Sequence, residues 1–174
     1  MIIDIDQLSQ EGWKISKDFE FSSGELVEER TTFHRPVHAE MWVKKEGEDV
    51  LVKGRISSWL SLLCSRCLLP YNFSVDSEFD HVYMPEEFEE IKEELEEEDI
   101  NKLFYYNREL NLRDVVLEQL NLTFPLKPLC SEDCQGICPV CGNLVSSGKC
   151  TCRVHDADPR LEKLNLFRKD KTNG

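Results

Sequence analysis

Cationic side chains are in short supply: 21 Lys and Arg face 34 Asp and Glu, for a formal net charge of −13. Polyanions are held by cationic side chains that displace counterions, so this balance argues against non-specific nucleic-acid binding by the whole molecule. Histidine is scarcer still, with four residues, His34, His38, His81 and His155. No Ser-His-Asp set can be argued from them. No two carboxylates stand out as general acid and base, and there is no glycine-rich phosphate loop, so no enzyme is expected. No apolar run approaches the roughly 20 residues of a membrane-spanning helix. Residues 1–8 carry acids and no basic stretch, which argues against a secretory leader and for a cytoplasmic protein.

Cysteine is what the chain has in excess. There are eight in 174 residues, six of them within the 23 residues from 130 to 152. They read Cys130-Ser-Glu-Asp-Cys134, Cys138-Pro-Val-Cys141-Gly142 and Cys150-Thr-Cys152, with a further pair upstream in Cys64-Ser-Arg-Cys67. At this density, in a chain without a leader, thiols point to metal rather than to disulfides. Thiolates so close in sequence can both face one tetrahedral ion, and Gly142 lets the backbone turn around it. Eight thiolates divide into two zinc sites of four ligands. The short return from Cys138/Cys141 to Cys150/Cys152 closes a ribbon, which leaves Cys130/Cys134 to meet Cys64/Cys67 and tie the two parts of the chain. Sequence does not assign ligands, so a mixed partition stays open, and His155 is an alternative ligand close to Cys152. Full thiolate coordination leaves no open position for water, so both Zn2+ ions are expected to be structural.

The hydrophobic pattern predicts an α+β fold: an antiparallel β-sheet domain with a packed helix and a zinc-stapled, cysteine-rich C-terminal segment. Residues 1–84 form the mainly β domain with the Cys64/Cys67 knuckle, 85–100 an acidic connector or helix, 101–129 a helix and an extended segment, and 130–174 the zinc-binding segment with a short helix. Val37, Ala39, Met41 and Val43 alternate with His38, Glu40, Trp42 and Lys44, the period of a half-buried strand. Residues 50–57 alternate again after a turn, giving a hairpin. Tyr71, Phe73, Val75, Phe79 and Tyr83 share one face of the clearest strand, with His81 packed among them. The Cys64/Cys67 knuckle therefore sits at the turn between two strands of a meander. Phe19-Glu-Phe21 and Leu26-Val27 read as short strands about a turn at Ser22-Ser-Gly24. Residues 112–122 make a helix that Asn111 and Asp114 cap and Pro125 stops. Residues 85–99 hold ten acids and one Lys. Phe88, Ile91 and Leu95 fall on one helical stripe there, while like charges four apart oppose a helix by a few tenths of a kcal/mol each, roughly. A thinly anchored helix and a mobile linker both fit. A last helix is expected to start at Asp158-Pro159-Arg160.

Leu110-Asn-Leu-Arg-Asp114, Pro125-Leu-Lys-Pro-Leu-Cys130, Cys134-Gln-Gly-Ile-Cys138-Pro-Val-Cys141-Gly142, Cys150-Thr-Cys152 and Asp158-Pro-Arg160-Leu resemble the bacterial YceD family of large ribosomal RNA subunit accumulation proteins. Cys64-Ser-Arg-Cys67-Leu resembles that family's upstream knuckle, and the likeness covers roughly residues 37–168. It implies a non-enzymatic factor that promotes accumulation or processing of 23S ribosomal RNA in large-subunit biogenesis. One implied partner is precursor or mature large-subunit RNA, met by Arg153, Arg160, Lys163, Arg168 and Lys169. From residue 125 onward, eight basic side chains outnumber six acidic ones, although a solvated helix face is the more ordinary explanation of them. The other is a basic ribosomal protein or nuclease, met by the acidic tract; no membrane and no small-molecule substrate is expected. A redox-switched zinc-thiolate chaperone is the alternative, in which oxidation ejects the metal and unfolds the segment. In such chaperones the Cys-x-Cys pair precedes the Cys-x-x-Cys pair at a wider spacing, the reverse of the order here.

Overall fold

The computed structural model describes residues 1–9, 11–86, 103–148 and 150–152. The fold is mostly β with one α-helix: β1 (Ile2–Asp4), β2 (Trp13–Phe19), β3 (Thr32–Phe33), β4 (Val37–Glu46), β5 (Asp49–Leu63), β6 (Pro70–Pro85), β7 (Leu103–Tyr105), β8 (Glu109–Asn111) and α1 (Leu112–Thr123). The chain divides into two compact units, Met1–Cys64 with Leu69–Cys130, and Ser65–Leu68 with Ser131–Gly174.

Three long strands carry the first unit. β4 and β5 pair antiparallel from Glu46↔Asp49 to His38↔Ser57, and β5 and β6 from Val50↔Tyr83 to Leu63↔Pro70. Alternation fixes this register, because a slip of one residue would move every apolar side chain to the solvent face. Val37, Ala39, Met41 and Val43 of β4, Val50, Val52, Ile56, Leu60 and Leu62 of β5, and Val75, Phe79 and Tyr83 of β6 are all buried. His81 packs among the aromatic residues as expected, its ring 5.3 Å from Phe79 and 6.3 Å from Tyr83. β2 extends the sheet beside β4, and β3 pairs with the far end of β5.

The described structure corrects three local expectations. Leu26 and Val27 are not a strand: Ser22 caps a 3-10 turn at Ser23–Glu25, with Glu25 reaching back to the Ser22 amide, and Leu26 ends it. The strand ahead of that turn begins earlier, at Trp13, and stops at Phe19. The sheet is also not wholly antiparallel, since β7 joins the edge of β6 in parallel through Tyr83↔Leu103. Parallel neighbours need a crossover of about a dozen residues or more. The acidic tract falls on this connection, so its length has a topological reason apart from its charge. From residue 87 onward the tract lies outside the described residues, which resume at 103, as does everything from 153 to 174.

β1 pairs with β8 through Ile3↔Leu110, and α1 comes directly after β8. Asn111 caps the helix: its side-chain oxygen accepts from the Arg113 amide at 3.2 Å, and its amide donates to Asp114 at 2.8 Å. Leu112, Val115, Val116 and Leu120 bury one face of α1 in the common core. Burying each such side chain contributes roughly 1.5–3 kcal/mol. The buried polar exception, Gln119, donates to Ser77 Oγ at 2.8 Å and so avoids the cost of an unmet amide. Thr123 ends the helix one residue before Phe124 and Pro125, where proline cannot continue it.

Candidate metal centre

Cys64 and Cys67 sit in the turn between two strands. Leu63↔Pro70 is the last pair of β5 and β6, and the Cys64 amide donates to the Leu69 carbonyl at 2.9 Å, closing that turn. Leu68 occupies the left-handed region at φ 59, which lets the chain fold back within so few residues. Cys64 and Cys67 are buried, Cys130 is exposed and Cys134 half-buried. The sulfurs of these four lie within 4.8 Å of one another.

Within the second unit, the chain around Cys134 is held by Arg66, a residue to which the cysteine spacing gives no role. Its guanidinium donates to the carbonyls of Glu132 at 2.8 Å and Cys134 at 2.9 Å, while its own carbonyl accepts from the Ile137 amide at 3.2 Å. The chain passes so close that a Cβ at Gly136, which sits at φ +74, would lie 2.8 Å from that carbonyl. Only glycine tolerates both the angle and the approach. Beyond it, the Cys138 amide donates to Asn143 O at 2.8 Å and the Gly142 amide to Cys138 O at 2.9 Å. An isolated bridge joins Ile137 to Leu144. These bonds fold Cys138 and Cys141 into a tight knuckle and return the chain to Cys150 and Cys152. The sulfurs of Cys138, Cys141, Cys150 and Cys152 again lie within 4.8 Å of one another.

Both tetrads have the shape a metal ion needs. Zinc–sulfur arms of about 2.3 Å in a tetrahedron put the sulfurs roughly 3.8 Å apart. Cys141 Sγ and Cys150 Sγ are 3.7 Å apart. The electrostatics agree. The backbone amides of Cys141 and then Val140 point at the Cys138 sulfur and hold its thiol down to about 6. Hydrogen bonding to Cys141, burial and the Cys141 charge push Cys152 up to about 12. Without a cation, then, the group favours one thiolate and suppresses another. A soft or borderline divalent cation is what lets all four ionise together.

The structure thus brings Cys64, Cys67, Cys130 and Cys134 into one group, and Cys138, Cys141, Cys150 and Cys152 into the other. The proposed RNA contacts, Arg153, Arg160, Lys163, Arg168 and Lys169, and the alternative ligand His155, lie outside the described residues. The strands also assemble a set that the sequence did not disclose: His38 Nδ1 lies 2.6 Å from Asp18 Oδ1, and Ser16 Oγ lies 3.4 Å from His38 Nε2. Asp18 and His38 are direct cross-strand partners, a relation invisible before the β2–β4 register is known. With His38 44% and Asp18 66% exposed, the set is a solvated cross-strand network without the water exclusion that gives oriented dipoles catalytic power. Among the described residues, no helix is long and apolar enough to cross a membrane.

Comparison with known proteins agrees with the cysteine pattern. A protein of Mycobacterium bovis and one of Mycobacterium tuberculosis, each described as uncharacterized, are 28% identical to this chain over 123 residues. The match covers 70% of this chain and 57% of theirs, so the chain spans little more than half the length of those relatives. A Mycobacterium leprae protein, likewise uncharacterized, is 24% identical over 62% of the chain and 48% of its own length. No solved structure matches. The profile of the large ribosomal RNA subunit accumulation protein YceD matches residues 52–168, a span that takes in all eight cysteines, and the chain belongs to that family.

Proposed function

We propose that the protein is a non-enzymatic factor in the accumulation or processing of 23S ribosomal RNA, held in shape by two structural zinc ions. The observation that carries this reading is the family match over residues 52–168, which spans both cysteine tetrads. Zinc would supply a closed, four-thiolate cross-link, with no position left for a reacting water. Around it, the chain's own residues orient the thiolates. Arg66 holds the Glu132 and Cys134 carbonyls, and Asn143 Nδ2 donates to Cys141 Sγ at 3.5 Å. The work of the protein then falls to its charged segments. Its partner is the large-subunit RNA, through the basic side chains after residue 152, or a basic ribosomal protein or nuclease, through the acidic tract.

The test is genetic and direct. Deleting the gene should lower 23S relative to 16S RNA and raise its precursor, and the intact gene should restore both. Replacing Arg160, Lys163, Arg168 and Lys169 with Gln should flatten the salt dependence of RNA binding by about 0.7 in log–log slope per lost single-strand contact. Neutralising the acids of residues 86–99 should instead abolish accumulation and leave RNA binding unchanged if the partner is a protein. Normal ribosomal RNA ratios and no precursor in the deletion strain would refute the function.

A further inference from the structure

A second candidate site lies in the first unit, at the junction of β6, β7, β8 and α1. A pocket of about 320 Å3 is lined by Tyr83, Phe104, Tyr106, Glu109, Asp114 and Glu118 among others, and among the described residues none that lines it is Lys or Arg. Tyr83 is only 5% exposed, and its hydroxyl is the one buried side-chain polar atom among the described residues without a hydrogen-bond partner. Leaving such a group unmet is costly, and native structures rarely do so without a reason. Tyr83 lines the pocket together with Asp114 and Glu118, whose charges act through space on its hydroxyl, and that hydroxyl has a lone pair to offer. Those carboxylates repel an anion and favour a cation that carries N–H donors. At the rim, Phe104 is 43% and Tyr106 56% exposed, and aromatic faces at that position add cation–π attraction. The amino group of Met1 approaches Asn111 Oδ1 at 3.4 Å but makes no hydrogen bond to Tyr83, Asp114 or Glu118 among the described residues.

We propose that this pocket binds a primary ammonium or guanidinium group, with Tyr83 Oη and the Glu118 and Asp114 carboxylates accepting its N–H bonds and Phe104 and Tyr106 flanking its alkyl stem. The site is separate from both cysteine tetrads and does not rest on the proposed ribosomal role. Two sources present that chemistry, an Arg or Lys side chain of a protein and a free polyamine.

The test titrates the full, metal-loaded protein, labelled with 15N, with N-acetyl-arginine methylamide, N-acetyl-lysine methylamide, spermidine and the neutral N-acetyl-norleucine methylamide. Amide shifts should concentrate at residues 103–118 with the cationic probes and be absent with the neutral one. Glu118→Gln and Tyr83→Phe should each weaken binding about tenfold, the loss of one charge-assisted bond. Glu78→Gln, on the open face of β6, should leave it unchanged. Tighter binding of the amino-acid amides assigns the source to a protein, and tighter binding of spermidine to a polyamine; either supports the site. No shift at residues 103–118, equal shifts with the neutral probe, or undiminished affinity in Tyr83→Phe would overturn it.

Discussion

Two buried tyrosines show how much a single hydroxyl decides. Tyr105 Oη donates to the Glu48 carbonyl at 2.9 Å, whereas the Tyr83 hydroxyl has no such partner. Tyr105→Phe should therefore cost about 1 kcal/mol or more in denaturant unfolding, since it also strands a carbonyl. Tyr83→Phe should cost little or nothing below pH 10. Above it the two proteins should part. Burial, then Glu118 and Asp114, raises the Tyr83 phenol above its ordinary 10. A raised folded value means stabilisation that is present below pH 10 and lost as pH climbs beyond it, because the unfolded chain releases its proton first. Wild-type stability should fall more steeply than that of Tyr83→Phe as the solution becomes alkaline; parallel curves would show that the phenol is not desolvated. Arg66 is the third residue on which much depends. Its carbonyl contacts belong to the chain around Cys134, so Arg66→Ala should weaken metal retention about tenfold, as loss of supporting contacts around ligands commonly does. Competition with a chromophoric chelator measures it, and unchanged retention would reduce Arg66 to a surface residue.

Among the elements, the strands were legible because each has a period of two and one wet face. β4 and β6 match the alternation of Val37–Val43 and Tyr71–Tyr83 closely, β5 contains the expected residues 50–57 but runs on to Leu63, and α1 starts where Asn111 offers its cap. The failures share a cause. β1, β7 and β8 are three residues each, too short to show a period, and exist because distant backbone completes their hydrogen bonds. The turn before β8 illustrates it: Asn107 and Arg108 both sit at positive φ, 51 and 59, where Gly is the usual signal for such a turn. Arg108 is held there by Asp6, to which its guanidinium donates at 2.6–2.9 Å, and by the Ile5 amide on its carbonyl. Nothing in the local sequence announces a partner a hundred residues away. The sheet itself has one tight point. Gly54 stands between Met41 and Phe79 in the cross-strand row, and a Cβ there would lie 2.6 Å from Glu40 O and 2.8 Å from Phe79 Cζ. Gly54→Ala should then destabilise by about 1–3 kcal/mol through overpacking, read as a lower denaturant midpoint with an unchanged slope. A stability gain would mean that the row has room to spread.

At the scale of the whole molecule, the cysteine pairs were visible as spacing, and loop length favoured two groups of four while leaving a mixed partition open, which the grouping of the sulfurs decides. What spacing could not supply was the support between them: Arg66 inside the first knuckle, Gly136 against its carbonyl, and the Cys138–Asn143 bond. The chemistry of two separate groups makes a numerical prediction. Purified under reducing conditions, the protein should hold two zinc ions per chain by elemental analysis. Cys64→Ser should leave one ion and Cys150→Ser should leave one, while the double variant should hold none, because each change removes a ligand from a different tetrad. Structural zinc contributes roughly 10–16 kcal/mol of apparent binding energy in small peptides, so a strong chelator should unfold at least the ribbon around Cys138 and Cys150. Acid should do the same. Cys152 bonds to the proton far more readily than Cys138 does, so lowering the pH reprotonates thiols that the metal had ionised and releases it. If either single variant lost both ions, the eight thiols would form one coupled cluster rather than two sites. If the wild type held no zinc but another soft cation in the same ratio, the tetrads would stand and only the identity of their metal would change.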